Sequence, residues 1–330
     1  MFKVKKIIYI PIAILLIGLG GAHAVANNQA NQAAQELVDE LVSKINENGG
    51  LVEVGEVEAN PYNKNISVKD VLVTDDSGRQ HQIGLLTLSE IELNERQDFI
   101  YAMNISTKDA LFTVTGGDGT AEQEQSLADT LKSLGINNDK IGHDQQLAYR
   151  YKPAERQLSL NLQNKFYNPE LTKRAAAELF SMNLHTDFSQ VPDLESQMQR
   201  LRDDADMTTA SAEWMQTGLI KATVDFEDLG AWQPLIEDGA KKAGVTPAVF
   251  KEQLKQQLLQ QFSAMPAISA NLKNQLTDAS TRFIDSDSPQ VALDINSKNP
   301  QGTGIMLALM SIMMSPNALE SFFDIQVKAD

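Results

Sequence analysis

Three histidines follow residue 26 of this 330-residue chain, His81, His143 and His185, and no two are close in sequence. A helical metalloprotease site needs paired histidines four residues apart with a glutamate beside the first, and structural zinc needs ligands clustered at short spacing. Neither pattern occurs. His143-Asp144 follows Gly142 and reads as a turn pair, and His185 takes a polar position two residues before Asp187. All three histidines read as surface or structural residues. No serine sits in a G-x-S-x-G elbow, so a hydrolase triad lacks its nucleophile. Gly116-Gly117-Asp118-Gly119 lacks the G-x-G-x-x-G spacing of a phosphate cradle and reads as a plain turn. Asp285-Ser286-Asp287 and Asp75-Asp76 are short acidic loops, and neither continues into the twelve-residue calcium loop that ends in glutamate. Asp285 and Asp287 therefore stand only as secondary metal candidates, in an enzyme alternative that would use scattered carboxylates. Asp203, Asp204 and Asp206 follow arginines at helical spacing and read as a solvated helix face. No motif implies a cofactor, and no catalytic residue is assigned.

The side chains that stand out are apolar. Met306, Met310, Met313 and Met314 lie with Ile305, Leu307, Leu309 and Ile312 on a helix apolar nearly all round. Methionine is flexible and polarizable, and a helix greasy on every side is either core or faces something greasy. The four methionines are accordingly the candidates for lining a ligand groove.

Positioning such a groove falls to a body that alternates between two periods. Leu37, Val38, Leu41, Val42 and Ile45 recur at helical spacing and end at Gly49-Gly50. From Leu51 the period becomes two, through Ile66, Val68, Val71 and Val73 to a hairpin turn at Asp75–Gly78, and on through Ile83 to Leu88. Two further strands are expected, Tyr101 to Ser106 and Ala110 to Thr115. A helix carrying Leu127, Leu131 and Leu134 closes at Gly135, a hairpin spans Tyr149 to Leu162, and Asn168-Pro169-Glu170 reads as a helix start. Strand 180–190, a charged helical segment 191–215 and strand Leu219–Phe226 come next. Helices follow at Leu229–Ala243, after Thr246-Pro247 and around Leu272, before a closing strand–helix–strand. A strand–turn–helix rhythm recurs around 158–180, 182–201, 219–243 and 291–314. The expected fold is α+β, a curved antiparallel β-sheet meander packed against amphipathic helices. The chain divides into residues 1–26, a polar spacer and helix over 27–50, a β-rich region over 51–190, and a mixed region over 191–330 on the same sheet system.

Residues 1–26 set the compartment. Lys3, Lys5 and Lys6 precede the apolar run Ile7–Gly21, and Ala22-His23-Ala24-Val25-Ala26 offers cleavage after Ala24 or Ala26. Ile7–Ala26 is also long enough to be retained as an inner-membrane anchor. The body is thus expected in the periplasm or cell envelope, soluble if cut and tethered if not. Without the three lysines the formal charge falls from −16 to −19, which disfavours nucleic acid and anionic surfaces as partners. The absence of cysteine excludes a lipoprotein signal, disulfides and thiol chemistry.

Four stretches resemble the YdgA-like family of bacterial envelope proteins: Lys5-Lys6 with its apolar run, Gly55 to Leu88 with the Ser77-Gly78 turn, Arg156 to Leu162, and Pro289 to Val327. In the last, Val291 to Ile295, Ile305 to Leu309 and Ser315-Pro316 with the residues after it resemble that family's closing strand–helix–strand. The first meander is also similar to AsmA-type proteins, whose curved sheets form lipid-accommodating grooves. The resemblance implies a membrane-targeting segment followed by an extracytoplasmic body, and it brings no catalytic residues. Together with the methionine helix it leads to an expected role: an exported, non-enzymatic envelope protein that binds an apolar ligand such as a lipid, or a protein partner. A membrane-tethered assembly module is the alternative.

Overall fold

The computed structural model describes residues 51–60, 65–75, 77–96, 99–116, 120–173, 177–202, 213–265, 268–314 and 318–329, with helical residues within 35–46. The 1–26 segment with Ala24 and Ala26, most of the 27–34 spacer reading, Pro61, Asp76, the glycine turn at 117–119, Asp203, Asp204 and Asp206, and Ser315-Pro316 lie outside the described residues, as do the side chains of Met313 and Met314.

From residue 51 onward the elements are β1 (Leu51–Glu53), β2 (Val57–Asn60), β3 (Asn65–Thr74), β4 (Gln80–Leu93), β5 (Ile100–Thr113), α1 (Ala121–Ser133), β6 (Lys140–Lys152), β7 (Gln157–Tyr167), β8 (Glu178–Ser189), α2 (Leu194–Arg202), β9 (Gly218–Asp228), α3 (Trp232–Ala243), α4 (Pro247–Ala264), α5 (Ala270–Asp285), β10 (Gln290–Ser297), β11 (Thr303–Gly304), α6 (Ile305–Met314), α7 (Ala318–Phe322) and β12 (Phe323–Ala329). The strands form an antiparallel, unclosed sheet in the order β1-β3-β4-β5-β6-β7-β8-β9-β10-β12, with β2 paired to β3 and β11 to β9. The fold is α+β, as the alternation of periods predicts. Two compact units make up the chain: one runs to Tyr149 and includes Asn164–Leu179, and the other comprises Arg150–Gln163 and everything from Phe180.

The first unit buries one face of β1 to β5. Ile66, Val68, Leu86 and Leu88 are almost wholly out of water, and Val38 from the 35–46 helix joins the same cluster. Each such side chain contributes on the order of 1.5–3 kcal/mol relative to exposure. The inward positions of these long strands do not keep a strict period of two. Instead the buried position jumps by three, from Val68 to Val71, Leu88 to Ile91 and Thr107 to Ala110, and each jump holds a residue in the left-handed region: Asp70 (φ 52°), Glu90 (φ 52°) and Asp109 (φ 53°). The Glu90 jump is a bulge, where pairing shifts between Ser89–Asn104 and Glu92–Ala102; at Asp70 and Asp109 the register runs on, and β3, β4 and β5 change phase together. Two of them share a literal repeat. Asn65–Thr74 and Asn104–Thr113 are identical at seven of ten positions, including the Lys-Asp pair that carries the positive φ.

That device explains a correction. The two strands expected at Tyr101–Ser106 and Ala110–Thr115 are one strand, β5, which passes through Lys108-Asp109 without turning. Asp109 lies opposite Gly84 of β4, and its backbone N–H donates to Asp144 Oδ1 at 2.9 Å. A second correction concerns Asn168, where no helix starts. Asn168 is buried and its side chain is already committed: Oδ1 accepts from Glu170 N at 2.9 Å and Nδ2 donates to the Leu134 carbonyl at 3.2 Å. Glu170 in turn accepts from the side chain of Asn137 and from the backbone of Asn137 and Asn138, which lowers its carboxyl pKa. The segment is therefore a turn tied to the end of α1. A third correction moves His143 from a turn into the middle of β6, where it is buried.

Candidate ligand cavity

In the second unit the strand faces differ in chemistry. Register places Met182, Phe226 and Val291 side by side, then Leu184, Val224, Leu293 and Val327. The alternate positions are mostly polar: Asn183, Asp225, Ala292 and Lys328 in one row, and His185, Thr223, Asp294 and Gln326 in the next. The apolar face is packed from one side by α5, whose Phe283 ring lies 5.6 Å from that of Phe226 and 5.0 Å from that of Trp232. Trp232 Nε1 donates to the Ile284 carbonyl at 3.3 Å, which fixes the indole at the start of α3. Leu272, Ala279 and Ile284 are the buried side chains of α5.

α4 is built differently. Thr246 caps it through the Val249 N–H and Pro247 occupies its first turn, as the Thr-Pro pair predicts. Yet none of its side chains is buried. It is held at its N-terminal half, where the Phe250 ring rests on Gly239 of α3. A Cβ at that glycine would lie 2.5 Å from the ring. It is also held by Lys255, whose Nζ sits 2.6 Å from Asp285 and 2.8 Å from Glu252. These hydrogen bonds, to Asp285 first and then to Glu252, raise the lysine pKa.

Beneath α4 lies a cavity of about 380 Å³. Leu254, Gln257, Leu258 and Gln261 form its α4 wall, Ser280, Phe283 and Ile284 its α5 wall, and Trp232 and Val291 complete it. At about 30 Å³ per water-sized group, it holds roughly a dozen such groups, which puts it in the lower part of the range for small-molecule sites. The lining carries apolar carbon, two amides and a hydroxyl.

The residues singled out from sequence are placed elsewhere. Met306 and Met310 are 42% and 58% exposed on α6, beside Leu307 at 57%, while Ala308 on the same helix is buried. α6 starts where Ile305 N bonds the Thr217 carbonyl and β11 pairs with Gly218-Leu219, at the opening end of β9. The cavity sits by the Phe226 end, eight residues or about 26 Å along the strand. Neither methionine lines it. Asp285, one of the two metal candidates, is held by Lys255, and Asp287 is exposed with its N–H bonded to the Arg282 carbonyl at 2.9 Å. Among the described residues no three histidine, aspartate or glutamate side chains gather as a metal site. His185 Nε2 and Ser159 Oγ both bond the Asp187 carboxylate, at 3.0 and 2.6 Å. The carboxylate lies between the other two, so the histidine cannot take the serine proton as a triad base would.

The cavity residues were partly visible in the sequence. Phe250, Leu254, Leu258 and Phe262 recur every fourth residue, an apolar stripe along α4. Gln257 and Gln261 fall one turn apart on the same side. What the stripe does not reveal is that its helix is only half covered.

A family model described as "Uncharacterized protein" matches residues 173–330. That span contains every residue of the cavity wall. No curated protein matches this chain.

Proposed function

We propose that this protein is an exported, non-enzymatic protein of the cell envelope that binds the apolar part of a lipid-like ligand between α3, α4, α5 and β10. The observation that carries the reading is the cavity itself: a space of about 380 Å³ faced by Trp232, Leu254, Leu258, Phe283, Ile284 and Val291, roofed by a helix with no buried side chain. The space opens to solvent, so water meets its apolar wall, and an apolar ligand seated there removes that wall from water. A roof with no buried side chain, tied to α5 among the described residues through Lys255–Asp285, Lys251–Ser286 and Lys273 to the Ser263 carbonyl, can part from α5 to admit it. The export signal at residues 1–26 and the resemblance to envelope proteins support the compartment, and cleavage after Ala24 or Ala26 would release the binder where retention would tether it.

Native mass spectrometry of the protein purified from envelopes tests the reading. The expected result is a small-molecule adduct on the wild-type chain that is lost in Leu258→Trp, whose indole fills the cavity. Repeated recovery without an adduct, or with only a stoichiometric protein partner, would overturn it.

A further inference from the structure

We infer that the ligand of the α4–α5 cavity bears an uncharged head group able both to donate and to accept hydrogen bonds, as a glycerol ester or a long-chain alcohol does. The inference rests on the reading of this cavity as a ligand site and adds the class of molecule it takes. No ionisable side chain faces the space. The nearest ammonium on the roof, Lys255, is already held by two carboxylates, Asp285 at 2.6 Å and Glu252 at 2.8 Å. Lys251 is turned to the Ser286 hydroxyl at 3.3 Å, and Arg282 is exposed on α5 outside the lining. A carboxylate or phosphate drawn into this space would lose hydration with no cation to replace it. An alkylammonium would likewise meet no carboxylate in the lining.

The polar atoms that do face the space have the opposite property. The side chains of Gln257, Gln261 and Ser280 make no hydrogen bond with any described residue. Each amide offers two donors and an acceptor, and the hydroxyl offers both, so together they match a hydroxyl or an ester and not a full charge. The chain they accompany is short to medium, because about a dozen water-sized groups fill the volume.

The chain has two tryptophans, Trp214 and Trp232. Trp214→Phe therefore leaves Trp232, in the cavity wall, as the sole indole reporter. This variant is titrated at pH 8 with glycerol monolaurate, laurate and dodecyltrimethylammonium, which share a twelve-carbon chain, each below its micellar concentration. The neutral probe is expected to change Trp232 emission with a Kd at least tenfold below either charged one. Adding Gln257→Lys, at the solvent-exposed rim of the cavity wall where folding is not at stake, is expected to tighten laurate at least tenfold. Charged probes binding within threefold of the neutral one, or laurate unmoved by Gln257→Lys, would overturn the head-group assignment and leave the ligand site standing. No response to any of the three would overturn both.

Discussion

His143 stands in β6 with its ring stacked 4.5 Å from Phe166 and 5.4 Å from Phe112, which in turn lies 5.6 Å from His81. Its Nε2 is 3.0 Å from Asn164 Oδ1, an oxygen that also accepts from Gln145, so Nε2 carries the proton and Nδ1 is bare. That Nδ1 is buried and meets no hydrogen-bond partner among the described residues. Burial pushes the imidazole pKa below its ordinary value, against the smaller opposing effects of Asn164 and Asp144. The unfolded chain therefore binds the proton more readily, and stability falls as pH drops from about 6.5 toward the lowered folded value. The carboxylates Glu56, Asp75, Glu170 and Asp294, all lowered, lose their contribution only as pH falls below their ordinary values of 3.8 to 4.5, so the histidine effect sets in at higher pH. His143→Phe should keep the stack and flatten the change in urea midpoint between pH 7.5 and 5; an unchanged slope would count against this account. Nothing in the sequence pointed to burial here. Gly142-His143-Asp144 has the composition of a turn, but Gly142 is where the Tyr167 ring packs, 2.1 to 2.4 Å from any Cβ placed there. Asp109 misled for the same kind of reason, since a polar pair inside a strand looks like its end. Its left-handed φ gives a direct check: Asp109→Val should lose about 1–2 kcal/mol in urea denaturation, the cost of that conformation for a side chain branched at Cβ. Asp109→Gly should stay within about 0.5 kcal/mol of wild type.

Helix ends were the most legible elements, because capping chemistry is local. Thr246-Pro247 opens α4, and Gly135, at φ 74°, follows α1. Strand extent was less so, since left-handed residues such as Asp109 shift the buried position by three within one strand and break the period that sequence reading relies on. The sheet edges were invisible, because their protection depends on pairs far apart in the chain or on a single side chain. At one edge Asn46 copies a strand: its Oδ1 accepts from Val52 N at 2.7 Å and its Nδ2 donates to the Val52 carbonyl at 3.1 Å. At the other, Gln275 of α5 accepts from Val327 N of β12 at 3.1 Å. Covering an edge in this way removes a template for intermolecular strand pairing. Gln275→Ala should cost about 1 kcal/mol and raise the exchange rate of the Val327 amide, with Asn46→Ala doing the same at Val52. Rates equal to wild type would show that these amides are protected by something other than the side chains. α4 makes the contrasting case, an element seated by one glycine. Gly239→Val should displace Phe250, loosen α4 in hydrogen exchange and weaken binding of glycerol monolaurate.

At the scale of the whole chain, the two compact units put the sheet to different uses. In the first, β1 to β5 close over a continuous core. In the second, every residue of β10 and all but one of β9 are only half-buried, and the space over their apolar rows is left to α4 and α5. The acidic charge of the chain suits this division, because it keeps exposed apolar side chains such as Met306, Leu307 and Met310 in solution without placing a cation at the cavity. A ligand that enters the cavity binds only the folded state, so at a hundredfold excess over Kd it should stabilise by about 2.7 kcal/mol. The gain should also be local. Hydrogen exchange followed by mass spectrometry, with and without glycerol monolaurate, is expected to slow in α3, α4, α5 and β10 and to leave peptides from β3 to β5 unchanged below the global unfolding limit. Slowing that appears first around α6, where the exposed methionines lie, would move the binding surface to the opposite end of β9 and remove the cavity from the mechanism.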